Sequence, residues 1–243
     1  MPVARPPVVS QREWDAALAA LSEREEAVSV AMHELAAARK HMPMVRVEHD
    51  YEFEGPDGRR SLAELFDGRS QLITYHFMLG PGWAAGCPGC SFLSDHFDGA
   101  LPHLEHHDVT LTAVARAPLP EIEAYKERMG WQFPWVSSYG NDFNYDYHVS
   151  FRSEDLASGK VIYNFAEMPV PAGSKESELP GMSAFYKDDT GNVFHTYSSY
   201  ARGPEEWIGT LMILDRAPKG RNEKRTMDFV RRHDEYETKA ARV

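Results

Sequence analysis

The chain holds two cysteines in 243 residues, and they stand three apart in Gly86-Cys87-Pro88-Gly89-Cys90. Two cysteines scattered at random along such a length seldom fall so close, so the pair reads as deliberate. Its flanks narrow the fold. Residues 71–78 (QLITYHFM) are apolar, β-branched and aromatic, the texture of a strand covered on both faces. A loop rich in glycine and proline follows over 79–86, and 91–104 reads as a helix. The same alternation continues, with a second buried-type strand over 109–115 and a helix over 118–129 that has proline in its first turn and ends at Gly130. Strand, helix, strand, helix favours parallel strands with right-handed crossovers, hence an α/β fold.

The segments on either side are less regular. Ser10 followed by Glu13 is a capping-box signature. Trp14, Leu18, Leu21, Val28, Met32 and Leu35 then recur at spacings of four and three, interrupted by Glu25, and Pro43 stops the helix beyond Arg39, Lys40 and His41. This N-terminal helical arm, residues 1–43, either packs on its own domain or pairs two copies as a homodimer. Residues 44–243 form one domain. Within it, Gly55-Pro56-Asp57-Gly58 is a turn, and 61–66 is a helical turn or two capped by Ser61 with Glu64 behind it. Short strands are expected at 147–151 and 161–166, then a loop over 168–181. Strands at 182–187 and 193–198 form a hairpin through Asp188-Asp189-Thr190-Gly191. A helix over 204–212 and a C-terminal helical tail from Asn222 complete the reading.

Composition limits the partners. A formal charge of −11 argues against nucleic acid, which needs a basic surface, and against an anionic membrane. No run approaches the roughly 20 apolar residues of a membrane span, and residues 1–10 lack the apolar core of a signal peptide. The expected location is the cytoplasm, where thiols are kept reduced.

At a strand-to-helix junction the first cysteine meets unpaired backbone amides, which favour thiolate over thiol. Such cysteines fall from about 8.5 to about 3.5–7.5 in pKa. Cys87 is therefore the candidate nucleophile and Cys90, one turn further, the resolving thiol. Pro88 suits the first helical position, Gly89 leaves room for a partner's backbone, and Trp83 is placed to roof the site. Half of a zinc site is the alternative, but no second CxxC exists, and His103, His106 and His107 read as solvated surface residues.

The runs YHFMLGPGWAAGCPGCSFLSDHFDG, VTLTAVARAPLPEIEAYKERMGWQFPWVSS, NDFNYDYHVSF and VFHTYSSYARG, in that order, make the chain resemble a bacterial family of thioredoxin-like proteins described as predicted dithiol–disulfide oxidoreductases. The resemblance covers nearly the whole chain. It implies a thioredoxin-like central mixed β-sheet flanked by helices and a helix-borne CxxC; separately, no cofactor is expected and no metal ligand is assigned. Only Cys87 and Cys90 carry over with a role. The order Pro88-Gly89 is the reverse of that between the cysteines of thioredoxins, and Gly181, with Pro180 one residue early, falls where thioredoxins place a cis-proline. Ala84 stands where peroxiredoxins bind peroxide through Thr or Ser. His148 and His195, in the family-like motifs, are either proton shuttles beside the dithiol or hydrogen-bonded core residues. Arg116 is expected in a plain salt bridge. The leading function is a thiol–disulfide oxidoreductase acting on a disulfide-containing small molecule or protein. The alternatives are a peroxiredoxin-like thiol peroxidase working through sulfenic acid, and a copper- or zinc-binding protein with His195 as a third ligand.

Overall fold

Ser10 and Glu13 close their capping box in the computed structural model of the chain, which describes residues 6–174 and 177–237. The Glu13 carboxylate accepts from the Ser10 amide at 2.9 Å, and the Ser10 hydroxyl accepts from the Glu13 amide. Such a cap contributes about 1 kcal/mol. Helix α1 (Gln11–Lys40) runs unbroken from it and ends at His41. The chain divides into two compact units, one ending at Pro43 and the next starting at Met44. The first has one described helix, so within that unit nothing covers the stripe from Trp14 to Leu35.

In the second unit β1 (Val45–Arg46) is short, and β2 (Glu52–Gly55) and β3 (Gly58–Ser61) form a hairpin around Pro56-Asp57. Ser61 and Glu64 exchange bonds ahead of a 3-10 turn over Glu64–Phe66. The alternating half follows: β4 (Gln71–His76), α2 (Pro88–Ser94), α3 (Leu101–His106), β5 (Val109–Ala115), α4 (Leu119–Met129) and β6 (Trp135–Ser137). Strands β4, β5 and β6 are parallel. Next come α5 (Phe143–Asp146), α6 (Ser153–Ala157) and a separate hairpin of β7 (Lys160–Tyr163) and β8 (Ala166–Pro169). Strands β9 (Gly181–Lys187) and β10 (Val193–Tyr200) pair across a turn in which the Asp188 carboxylate accepts from the Thr190 and Asn192 amides, both at 2.9 Å. A 3-10 turn over Gly203–Trp207 and α7 (Gly209–Leu214) follow.

The main sheet has the order β1-β10-β9-β4-β5-β6-β2-β3. Four adjacent strands within it, β10-β9-β4-β5, pair β4 and β5 in parallel and set β9 antiparallel to both its neighbours. That is the thioredoxin-like arrangement, here extended on both edges. Alternation along β4 and β5 separates two cores. Tyr75 and Phe77 meet Cys90, Ile122, Tyr125, Trp135 and Leu211 on one face. Leu72 and Val114 meet Phe53, Phe66, Phe143 and Phe185 on the other.

Several expected elements differ. The helix over 91–104 is two helices, because the chain turns at Asp95–Ala100 and the Asp98 carboxylate accepts from the Gln132 and Phe133 amides at 3.0 and 2.7 Å. Residues 147–151 follow the single turn of α5 and, among the described residues, make one bridge, Ser150 to Glu178. The strand over 161–166 folds back on itself, since Asn164 and Phe165 both have positive φ (50° and 64°), the requirement of a tight hairpin turn. The helix over 204–212 breaks at Ile208, which is buried. From Asn222 the tail runs through bends and turns up to a 3-10 turn at His233–Glu235, not a continuous helix; residues 238–243 of that expectation lie outside the described ones.

Candidate active site

The loop after β4 delivers Cys87 as the N-cap of α2, with Pro88 in the first turn, as its missing N–H allows. The Cys87 amide donates to the Met78 carbonyl at 3.1 Å, and the Cys87 carbonyl accepts from the Ser91 amide and hydroxyl, both at 2.9 Å. Ser91 in turn bonds the Tyr125 hydroxyl at 2.8 Å. The backbone on both sides of the first sulfur is thus tied to the segment just after β4 and to α4. Gly86 permits this approach, because a β-carbon there would lie 2.5 Å from the Phe77 ring and 2.8 Å from that of Tyr125.

The two thiols have different surroundings. Cys87 is part-exposed and Cys90 is buried. The Cys87 thiol is pulled down to about 6 by a hydrogen bond from the Cys90 thiol, against the opposing effect of burial, with help from the Cys90 and Gly89 amides and the Arg232 charge. Cys90 is pushed far up by burial and by its bond to Cys87, and the Tyr75 hydroxyl and Met78 amide only partly offset this. The first sulfur is thus biased toward thiolate and the second toward thiol. In the intact chain, alkylation of Cys87 by iodoacetamide should therefore titrate with a midpoint near 6, while Cys90 stays unreactive through pH 9. A midpoint above 8, measured by mass spectrometry of the labelled peptides, would refute the assignment.

The other predicted residues are less concentrated. Gly89 lines the thiol, its would-be β-carbon lying 3.8 Å from Cys87 Sγ. Trp83 folds back over Gly80, whose β-carbon would meet its Nε1 at 2.9 Å. His195 is not brought to the dithiol. It sits in the second core, its ring 5.1 Å from that of Tyr147 and 5.4 Å from that of Phe185, and bonds Ser198 at 2.7 Å. Ser198 and Ser183 link it to His76, whose pKa burial pulls down to about 3. His148 is exposed at φ 54° and lines an open cleft with Asp155, Lys160 and Glu167. Arg116 forms a salt bridge to buried Glu178. No peptide among the described residues is cis, so Pro180 is trans, and Gly181 opens β9 opposite His76.

Sequence reasoning missed Tyr75, Tyr125 and Arg232. Tyr75 was within reach: on β4 it shares a face with Phe77, the face that meets α2. Arg232 lies 146 positions after the glycine it touches, with no local signal.

Residues 3–236 match a family described as bacterial protein of unknown function, DUF899. No curated protein matches the chain. Solved structures similar to it include peroxiredoxin Q of Xanthomonas campestris, 12% identical over 73% of this chain and 99% of that one, with a TM-score of 0.46. A PrxQ mutant of Xylella fastidiosa is 14% identical over 71% and 97%, with a TM-score of 0.43. Peroxidoxin BcpB of Mycobacterium tuberculosis is 16% identical over 72% and 99%, with a TM-score of 0.40.

Proposed function

We propose that this chain, which belongs to the bacterial family of unknown function DUF899, is a thiol–disulfide oxidoreductase in which Cys87 attacks and Cys90 resolves. The observation that carries the reading is the unequal setting of the pair: a part-exposed sulfur on the N-cap residue of α2, biased toward thiolate, with a buried one, biased toward thiol, a turn behind. The Cys87 thiolate attacks one sulfur of a substrate disulfide, forming a mixed disulfide and releasing the other half as thiolate. That step removes the negative charge on Cys87, and with it two of the causes that hold the Cys90 proton. The Tyr75 hydroxyl and Met78 amide remain to receive a Cys90 thiolate. Cys90 gives its proton to solvent and attacks Cys87 Sγ, expelling the second substrate thiol and leaving a Cys87–Cys90 disulfide. An external thiol donor then returns the pair to its reduced form. A donor of that kind fits the cytoplasm, and among the described residues no helix is long and apolar enough to cross a membrane. The copper reading loses its third ligand, since His195 lies in the second core.

Trapping tests the proposal. With an aromatic disulfide such as dithiobis-nitrobenzoate, Cys90→Ser should release one equivalent of aromatic thiol and retain the other as a stable adduct at Cys87. Wild type should release both equivalents, and Cys87→Ser neither. A Cys87→Ser variant that reduces the probe at the wild-type rate would end the proposal.

A further inference from the structure

The C-terminal segment beyond α7 crosses the dithiol end of the domain. Val230 is buried in the same core as Cys90, and the Phe229 ring stands edge-on to that of Phe92 in α2, centroids 6.2 Å apart. Met227 has φ 58°, a conformation costly for a residue with a side chain, and its Sδ lies 3.9 Å from where a β-carbon on Gly89 would sit. Further on the segment is clasped twice. His233 bonds the Asp95 carboxylate at 2.7 Å, and Arg128 of α4 pairs with Asp234 at 2.8 Å and Glu235 at 3.1 Å. Between Val230 and these clasps, Arg232 points inward, its side chain 17% exposed. Its Nε and Nη2 both donate to the Gly86 carbonyl, at 2.9 and 2.6 Å.

We propose that Arg232 is the positioning residue of the dithiol, and that residues 227–235 form a strap belonging to the active site. The inference rests on the reading of Cys87 as nucleophile. The peptide joining Gly86 to Cys87 is held on both edges, its N–H by the Met78 carbonyl and its C=O by the guanidinium fork. Rotation of that peptide is the motion that would swing the sulfur away from the Gly89 and Cys90 amides, and the two anchors oppose it. Arg232 Nη1 donates to Glu235 at 2.8 Å. Each of the three guanidinium nitrogens thus donates to the protein's own groups from a side chain only 17% exposed, which makes it a positioning group and not a clamp for a substrate carboxylate. A lysine could supply the charge but not the fork. The titratable and charged groups facing the nucleophile are Cys90 from α2, Tyr75 from β4, Tyr125 from α4 and Arg232 from the strap, with Glu235 behind it.

The test uses the full chain with Arg232→Gln and Arg232→Lys, reading the pH profile of Cys87 alkylation and steady-state reduction of dithiobis-nitrobenzoate. Arg232→Gln should move the alkylation midpoint up by about one unit, and slow alkylation at pH 6 about fivefold. Arg232→Lys should hold the midpoint near wild type yet lower kcat about tenfold at unchanged KM, because the charge remains while the fork is lost. An unmoved midpoint in Arg232→Gln, with kcat intact, would overturn the proposal. If the glutamine variant fails to fold, the lysine variant decides, and wild-type kcat there overturns it equally. Alkylation needs no disulfide substrate, so the two readings fail separately. A shifted midpoint in a protein that reduces nothing would retain Arg232 and sink the oxidoreductase. An unshifted midpoint with intact reduction does the reverse.

Discussion

Gly86→Ala should cost the folded protein about 3 kcal/mol, the sum of overpacking and of hydrogen bonds lost when the loop retreats. The added β-carbon would lie 2.5 and 2.8 Å from two carbons of the Phe77 ring and 2.8 Å from Tyr125 Cε1. Neither ring has room to withdraw. Phe77 is backed by Trp135 and Trp131, ring centroids 4.5 and 6.0 Å away, and the Tyr125 hydroxyl is tied to Ser91. The loop must then move, loosening the Cys87 amide from Met78 and the Gly86 carbonyl from Arg232. Gly86 does not have a positive φ, so the penalty is crowding alone. Gly89→Ala is the contrast, because its β-carbon would meet Cys87 and Met227 at ordinary contact distances of 3.8 and 3.9 Å. Urea unfolding should place Gly89→Ala within about 0.5 kcal/mol of wild type, as for a substitution that meets no obstruction. A Gly86→Ala variant equally close to wild type would show that the loop is not wedged between those rings.

That wedge explains what was legible in the sequence and what was not. The dithiol, the strand before it and the helix beginning at it are local features, readable from spacing and periodicity. The Ser10–Glu13 and Ser61–Glu64 caps and the turn at Asp188 are local too, and all form as read. The strand–helix alternation implied parallel pairing, and β4 and β5 pair in that way, whereas β6, also parallel to β5, was not read as a strand. The failures are tertiary. Asp98 looks like an ordinary helix residue until Gln132 and Phe133 bring their amides to it. The polar tail has helix-like composition, yet its path follows three anchors far away in sequence: Gly86, Asp95 and Arg128. His195 sits in a motif that looks functional, but β10 presents it to Tyr147 and Phe185. No pattern along the chain encodes which face of a sheet a motif residue will take when the strand carries a register shift, as β10 does between His195 and Tyr197.

Arg116→Met should destabilise the protein by about 3–5 kcal/mol at pH 8, the range for stripping one partner from a buried ion pair. Glu178 is 1% exposed and accepts from Arg116 Nε at 2.8 Å, Ser150 at 2.5 Å and Ser177 at 3.3 Å, with a second bond from Arg116 Nη2. Arg116 also reaches the Tyr145 hydroxyl and lies 4.8 Å from its ring centroid, tying the end of β5 to α5 and to the segment entering β9. Burial raises the Glu178 carboxyl pKa even with Arg116 against it. Its proton is held more tightly in the folded than in the unfolded chain, so ionisation of Glu178 opposes folding as pH rises. Removing the guanidinium raises the folded pKa further. The deficit of Arg116→Met should then be smallest at low pH, below the folded wild-type value, where the carboxyl is protonated in both folded proteins. It should grow as pH rises through the wild-type folded value and level off above that of the variant. The double variant Arg116→Met/Glu178→Gln should recover at least about 2 kcal/mol of the loss at pH 8, because no buried charge is left without its partner. Urea unfolding of the three proteins at pH 5 and pH 8 measures both effects. A deficit that is the same at the two pH values and unrelieved in the double variant would mean that Arg116 acts through its contact with Tyr145 and not through the buried carboxylate.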